Sequence, residues 1–60
     1  MQLPSNDYIL LSVINTLLRD KYSSLALLCE EEDAEEGEII SRLSAIGYSY
    51  DGGRNAFIAH

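Results

Sequence analysis

The stretch from Asp33 to Gly47 carries the strongest secondary-structure signal in this chain and predicts one amphipathic helix. Asp33 stands three residues before Glu36, which is the spacing of a capping box at a helix start. Gly47 favours the left-handed conformation that ends many helices. Between these signals, apolar residues recur at a spacing that places them on one helical face: Ile39, Leu43 and Ile46, with Ile40 beside them. We therefore expect a helix over about residues 34–46.

A first helix is predicted over about residues 7–21, where Ser5 or Asn6 can cap its amino end. One broad face of this helix is apolar: Leu10, Leu11, Val13, Ile14, Leu17 and Leu18. The opposite face is polar: Ser12, Asn15, Thr16 and Arg19. So wide an apolar face predicts a central helix that the rest of the chain covers. In the alternative interpretation, a second copy of the protein covers Ile9 and Val13.

A second helix is predicted over about residues 24–31, with Ser23 or Ser24 as its cap. An acidic run follows it, and its spacing does not match a calcium-binding loop, so we interpret it as a solvated turn. A longer second helix that continues to Glu36 and ends at Gly37 is also possible. We prefer the shorter helix, because the longer one leaves the cap signals before the third helix unused.

Residues 48–58 change to a strand-like period around a glycine pair and predict a β-hairpin. With the turn at the two glycines, Tyr50 pairs with Asn55 and Tyr48 pairs with Phe57. The three aromatic side chains then share one face of the hairpin. Because an isolated hairpin is unstable in water, this face must pack on the helices.

Together these elements predict a single α+β domain over residues 1–60. It is a three-helix, helix-turn-helix-like domain with a C-terminal β-hairpin, an order of elements that resembles winged-helix domains. We predict a hydrophobic core made of ten residues: Leu10, Ile14, Leu17, Leu18, Leu25, Leu28, Cys29, Ile39, Leu43 and Ile46.

Charge argues against nucleic acid as a partner. The net charge of −6 comes from ten acidic and only four basic residues, whereas DNA-binding proteins usually contact several phosphates through Lys or Arg. In a helix-turn-helix the third helix would face the DNA, yet here it begins with three acids: Glu35, Glu36 and Glu38. No stretch approaches the roughly 20 apolar residues of a membrane span. With no leader-like segment, the sequence predicts a soluble cytoplasmic protein.

No group of residues indicates catalysis, a metal or a cofactor. The single histidine, His60, ends the chain, and Cys29 is the single cysteine. Free cysteines are usually buried, so we expect Cys29 to be a small apolar core residue in a reducing compartment. A phosphate-binding glycine loop is also missing. Because so short a chain leaves little room for a pocket, we expect neither enzymatic activity nor a small-molecule ligand.

The outward side of the third helix is unusual because its residues are small, so another backbone can approach closely. Gly37 lies within this helix, where glycine costs roughly 1 kcal/mol relative to alanine. Glu38 and Arg42 flank the small residues as an ion pair one turn apart. We define a candidate interaction face that also includes the exposed Leu27 of the second helix: Ala34, Gly37, Glu38, Ser41, Arg42, Ala45 and Leu27. Alternatively, this side is simply exposed and happens to carry small residues.

These observations favour a non-enzymatic protein-interaction module, with a protein partner or a second copy of itself as the ligand. The alternative is a winged-helix DNA-binding or transcription-associated protein.

Three segments also carry a family resemblance: LLSVINTLLRD, SSLALLCEEED and RLSAIGYSYDGGRNAFI. Together they resemble a family of very small uncharacterised bacterial proteins, a domain of unknown function (4250), over about residues 3–58. Its most specific positions are Asn15-Thr16, Leu18-Arg19-Asp20, Ile46-Gly47-Tyr48, Tyr50-Asp51, Asn55 and Phe57. The resemblance implies a small bacterial protein and supplies no activity, cofactor or site residue.

Overall fold

The computed structural model describes residues 1–60 and contains three α-helices followed by a two-stranded antiparallel sheet. The elements are α1 Asp7–Asp20, α2 Leu25–Glu32, α3 Glu36–Ala45, β1 Tyr48–Asp51 and β2 Ala56–Ala59. The α+β arrangement expected from the sequence, three helices and then a hairpin, is confirmed.

Local signals correctly placed three of the helix ends. The side chain of Asn6 accepts hydrogen bonds from two backbone amides in the first turn of α1, at 2.8 and 3.1 Å. Ser24 caps α2 by accepting a hydrogen bond from the Leu27 amide at 3.1 Å. Gly47, two residues after the last residue of α3, adopts a φ of +88°, a conformation that glycine reaches without a Cβ clash. Each of these signals depends on neighbouring residues only.

The predicted capping box at the start of α3 was wrong. Asp33 instead ends α2 in the left-handed conformation, with a φ of +54°, and its amide bonds to the Cys29 carbonyl. The residue that precedes α3 is Glu35, whose side chain forms no cap hydrogen bond. The reason is that aspartate tolerates the left-handed conformation, so the same residue type suits a helix end as well as a helix start. The longer alternative for α2, ending at Gly37, is also excluded.

The core forms one cluster of ten buried residues: Leu10, Ile14, Leu18, Tyr22, Leu25, Leu28, Cys29, Ile39, Leu43 and Phe57. The prediction was wrong for Leu17 and Ile46, which are only partly buried and pack against the cluster. Tyr22 and Phe57 are buried instead, because the turn after α1 and the hairpin both fold over the helices. Helix α1 supplies three of the buried residues and is central, as expected.

The hairpin register differs from the predicted one by two residues. Tyr50 pairs with Phe57 and Tyr48 with Ala59, and residues 52–55 form the loop. The loop is longer because the Asp51 carboxylate accepts hydrogen bonds from two loop amides, at 2.9 and 3.1 Å. Since side chains alternate along a strand, a shift of two residues keeps the three aromatic residues on one face. The Tyr50 and Phe57 rings pack with centroids 5.5 Å apart.

A polar contact joins the turn after α1 to the end of α2. The Tyr22 hydroxyl donates a hydrogen bond to the Glu32 carboxylate at 2.5 Å, and the Lys21 ammonium lies 3.7 Å from the same carboxylate. The Tyr22 hydrogen bond is the main cause that lowers the pKa of Glu32, and the Lys21 charge acts in the same direction. The contact therefore favours the ionised form of Glu32.

We expect this contact to make folding sensitive to acid. A carboxylate whose pKa is lower in the folded protein stabilises the fold above its unfolded pKa of about 4.3, and this contribution is lost as pH falls through the folded value. Tyr22→Phe keeps the ring but removes the donor, so the stability of this variant should fall less between neutral and acidic pH. Urea unfolding across that range measures the difference. Tyr8→Phe, at an exposed tyrosine, is the control; equal pH dependence in Tyr22→Phe and the parent protein would contradict the assignment.

Candidate functional site: the outer face of helix α3

Helix α3 presents one side to solvent, and its residues follow a helical spacing. We call this the outer face of α3 and define it by four exposed residues: Gly37, Ile40, Ser41 and Ser44. Ile40 is 42% exposed, although its neighbour Ile39 is completely buried. The outer face therefore combines one large apolar side chain with three small residues.

Gly37 is not required by the fold of this chain. A Cβ atom added at this position would meet no atom within 4 Å. Its φ is not in the left-handed region, unlike that of Gly47. Since glycine weakens a helix relative to alanine, nothing within the protein itself explains a glycine here.

The seven members of the predicted interaction face are not all exposed to solvent. Four of its members are exposed on α3 or α2: Gly37, Glu38, Ser41 and Leu27. Ala45, the last residue of α3, is exposed as well. Ala34 is partly buried and packs against the core cluster.

Arg42, the remaining member, is held within the protein. Its Nε donates to the Asp7 carboxylate at 2.6 Å, and its Nη2 donates to the Pro4 carbonyl at 2.5 Å. The Glu38 carboxylate lies 3.7 Å from Nη1 of Arg42, as the spacing predicted. Because only 21% of the Arg42 side chain is exposed, its main role is to fasten α3 to the start of α1.

Sequence reasoning grouped Ile40 with the apolar stripe and did not place it on the outward side. The helical period does contain this signal, because Ile40 is one residue from the buried Ile39 and three from Gly37. Two further large side chains are exposed at the start of α1, Tyr8 and Ile9. If a second copy of the protein packs on α1, as the alternative interpretation of the sequence holds, Ile9 must be exposed in the single chain.

Asn15 was placed on the solvent side of α1, but it binds the hairpin. Its Nδ2 donates to the Phe57 carbonyl at 3.0 Å, and its Oδ1 accepts from the Phe57 amide at 2.8 Å. The side-chain amide thus satisfies both backbone groups of one strand residue, as a neighbouring strand would. This contact joins β2 to the middle of α1.

Asn55 forms the second link between hairpin and helices. Its Nδ2 donates to the Leu18 and Tyr22 carbonyls at 3.0 and 2.8 Å, at the end of α1. Its Oδ1 accepts from the Tyr50 hydroxyl at 2.7 Å, and that hydroxyl accepts from the Leu25 amide at 3.2 Å. Asn55 and Asn15 stand among the most specific positions of the family resemblance, which was the one sequence signal that could have found them.

The predicted acidic surface is present at the start of α3, where Glu35, Glu36 and Glu38 are all exposed. Cys29 is buried nearby, and its pKa is raised, mainly by burial and further by the charges of Glu36 and Glu35. Its thiol is therefore protonated and unreactive at neutral pH. The expectation that Cys29 is a small core residue is confirmed.

No group of three or more histidine, cysteine or acidic side chains is arranged so that it could hold a metal ion. None of the three helices has the length and apolarity needed to cross a membrane.

The fold and its outer face define a small α+β domain in which two asparagines fasten a hairpin to α1 and the turn that follows it. The chain belongs to the family described as Domain of unknown function (DUF4250), which it matches over residues 4–57. Neither a curated protein nor a solved structure matches the chain. The match over residues 4–57 confirms the expected family membership.

Proposed function

We propose that this protein is a non-enzymatic protein-interaction module of the bacterial cytoplasm that forms a homodimer through the outer face of α3. The observation that supports this proposal most strongly is the exposed Ile40 side chain among small residues on that face. Complete burial of a fully exposed side chain of this size contributes roughly 1.5–3 kcal/mol, so covering the 42% of Ile40 that is still exposed contributes about half of that or less. In a two-fold symmetric contact the same surface is used by both copies, so this contribution is made twice.

The small residues around Ile40 make such a contact possible. Gly37 and Ser41 have little or no side chain between the α3 backbone and a partner, so a second helix can approach closely. Because Gly37 has no role in the fold of one chain, close approach by a partner gives its presence a physical reason. A short chain with a marginal core also gains stability from association.

A winged-helix DNA-binding or transcription-associated role is the alternative, and charge disfavours it. The start of α3, which would approach the phosphates, exposes three acidic residues: Glu35, Glu36 and Glu38. Of the four basic residues, Arg42 is bound to Asp7, and Lys21 lies near Glu32. DNA binding is therefore tested below as the result that would favour the alternative.

Sedimentation equilibrium over a wide range of protein concentration, at low and high salt, tests the proposal. We expect a dimer that persists at high salt, because an apolar contact is not screened by ions. Ser41→Arg places a long charged side chain in the centre of the outer face and should separate the dimer. Ser23→Arg adds the same charge at an exposed position of the α1–α2 turn and should leave the dimer intact.

Gly37→Ala provides a second variant that does not threaten the fold. The added methyl group meets no atom of its own chain, so folding stability should rise by up to about 1 kcal/mol. The same methyl group should weaken association by holding the partner away. A strict monomer, or a dimer that survives Ser41→Arg, would contradict the proposal. High-affinity binding to duplex DNA in a fluorescence anisotropy titration would favour the alternative.

A further inference from the structure

A groove opens between the polar side of α1 and the hairpin loop. Its volume is about 630 Å³, and its polar walls come from Ser12, Asn15, Thr16, Arg19, Arg54 and Asn55. The sequence predicted little room for a pocket, and this expectation was wrong. The groove lies on the surface between α1 and the hairpin loop. A small core does not prevent it, because it is not an enclosed cavity within that core.

The charge of this groove is opposite to that of the rest of the protein. Arg19 and Arg54, two of the four basic residues, line it, and none of the ten acidic residues does. The side chains of both arginines are more than 70% exposed, at 72% and 73%. Two arginines from distant parts of the sequence therefore line one opening.

The polar groups of the groove differ in their freedom to bind a ligand. The amides of Asn15 and Asn55 are occupied, because both bind backbone groups of the chain. The hydroxyls of Ser12 and Thr16 are exposed and can turn toward a bound group. The asparagine side chains are thus held in place, and the hydroxyl and guanidinium groups remain as the donors for a ligand.

The two arginines keep donors free in spite of their acidic neighbours. Arg19 uses Nε and Nη2 on Asp20, at 2.7 and 2.8 Å, which leaves Nη1. Arg54 lies 3.9 Å from Asp51 through Nε, which leaves both terminal nitrogens. Because exposed ion pairs contribute little free energy, an anion with two charges can compete with these carboxylates.

We propose that this groove binds the phosphate group of a small phosphorylated molecule. Two planar guanidinium groups and two hydroxyls match the several acceptor oxygens and the double charge of a phosphate monoester better than a single carboxylate. The volume lies within the range of about 300–1,000 Å³ that small-molecule sites occupy. A nucleic acid would extend beyond the groove onto an acidic surface that repels it.

A titration followed by NMR of the ¹⁵N-labelled protein tests this proposal. The probes are inorganic phosphate and glucose 6-phosphate, with ionic strength held constant by chloride. We expect saturable shifts confined to amides of α1 and the hairpin loop that line the groove, and tighter binding of the sugar phosphate. Spectra of each variant first establish that it is folded.

Variants separate a specific phosphate site from a general effect of charge. Arg19→Gln and Arg54→Gln should each weaken phosphate binding about tenfold, as expected for the loss of a hydrogen bond to a charged group. Thr16→Val removes a donor without changing charge and should weaken binding by a smaller factor. Asp20→Asn frees Arg19 and should strengthen binding. Lys21→Gln makes the same charge change outside the groove and should leave affinity unchanged.

Three results would overturn the assignment. The first is the absence of saturable shifts with either probe. The second is an equal loss of affinity in Lys21→Gln and Arg19→Gln, which would indicate nonspecific attraction. The third is tighter binding of acetate or of a single-stranded oligonucleotide than of glucose 6-phosphate. Ser41→Arg, on the outer face of α3, is expected to leave phosphate binding unchanged, so the two proposals can fail independently.

Discussion

Asn55→Ala is expected to unfold a large fraction of the protein at room temperature. The substitution removes three side-chain hydrogen bonds, to the Leu18 carbonyl, the Tyr22 carbonyl and the Tyr50 hydroxyl. It also places alanine at a φ of +53°, where a Cβ atom is unfavourable. Together these effects should lower the free energy of unfolding by about 3 kcal/mol. A core this small rarely supplies more than about 3–5 kcal/mol in total.

Thermal unfolding followed by circular dichroism measures this effect. A loss of about 3 kcal/mol should lower the midpoint by roughly 15–20 °C in a domain of this size. Asn55→Gly separates the two causes, because glycine tolerates the left-handed conformation but supplies no side chain. We expect Asn55→Gly to lie between the parent protein and Asn55→Ala. A melting temperature close to that of the parent for Asn55→Ala would show that the hairpin loop does not hold the helices.

Asn15→Leu is expected to have an effect of similar size. Leucine is similar in size, but it cannot bond to the Phe57 amide or carbonyl, and both groups are partly buried. Leaving a buried backbone group without a partner costs about 1–3 kcal/mol. We therefore expect a loss of about 2–4 kcal/mol, and we expect β2 to separate from α1. Amide hydrogen exchange should show this as lost protection at Phe57 and its neighbours in β2.

Asn15→Asp tests the same contact through pH. The introduced carboxyl group can accept from the Phe57 amide in either form, but only its protonated form can donate to the Phe57 carbonyl. Its pKa should therefore be raised in the folded protein, so its stabilising contribution is present below the ordinary aspartate value of about 3.9 and is lost as pH rises. This variant should be relatively more stable in acid than at neutral pH. If its stability shows the same pH dependence as the parent protein, the side chain does not bond to that carbonyl.

Sequence patterns predicted the elements because most of the signals are local. Asn6, Ser24 and Gly47 act on amides or backbone angles within a few residues, so their roles follow from neighbouring sequence alone. Asp33 was misassigned because aspartate suits both an N-cap and a left-handed helix end. The choice between these roles depends on where α2 ends. Glu32, in the last turn of α2, accepts a hydrogen bond from Tyr22, a residue ten positions earlier in the chain.

The candidate sites were predictable to different degrees. The small residues on α3 follow from helical periodicity, so Gly37 and Ser41 were recognised from sequence. The groove between α1 and the hairpin loop was not, because Arg19 and Arg54 line one opening only after the hairpin has folded against α1. The two asparagines that bring about this packing were also missed, since a helical period places Asn15 on a solvent face.

The amino-acid sequence by itself determined three helices, a hairpin and most of one apolar core, because periodicity and capping depend on residues close together in the chain. Tertiary structure decided the hairpin register, the end of α2 and the roles of Asn15, Arg42 and Asn55. The physical reason is that hydrogen bonds between distant segments satisfy backbone groups that the local elements leave free. A polar side chain on a helix therefore shows its role only when the partner segment is in place.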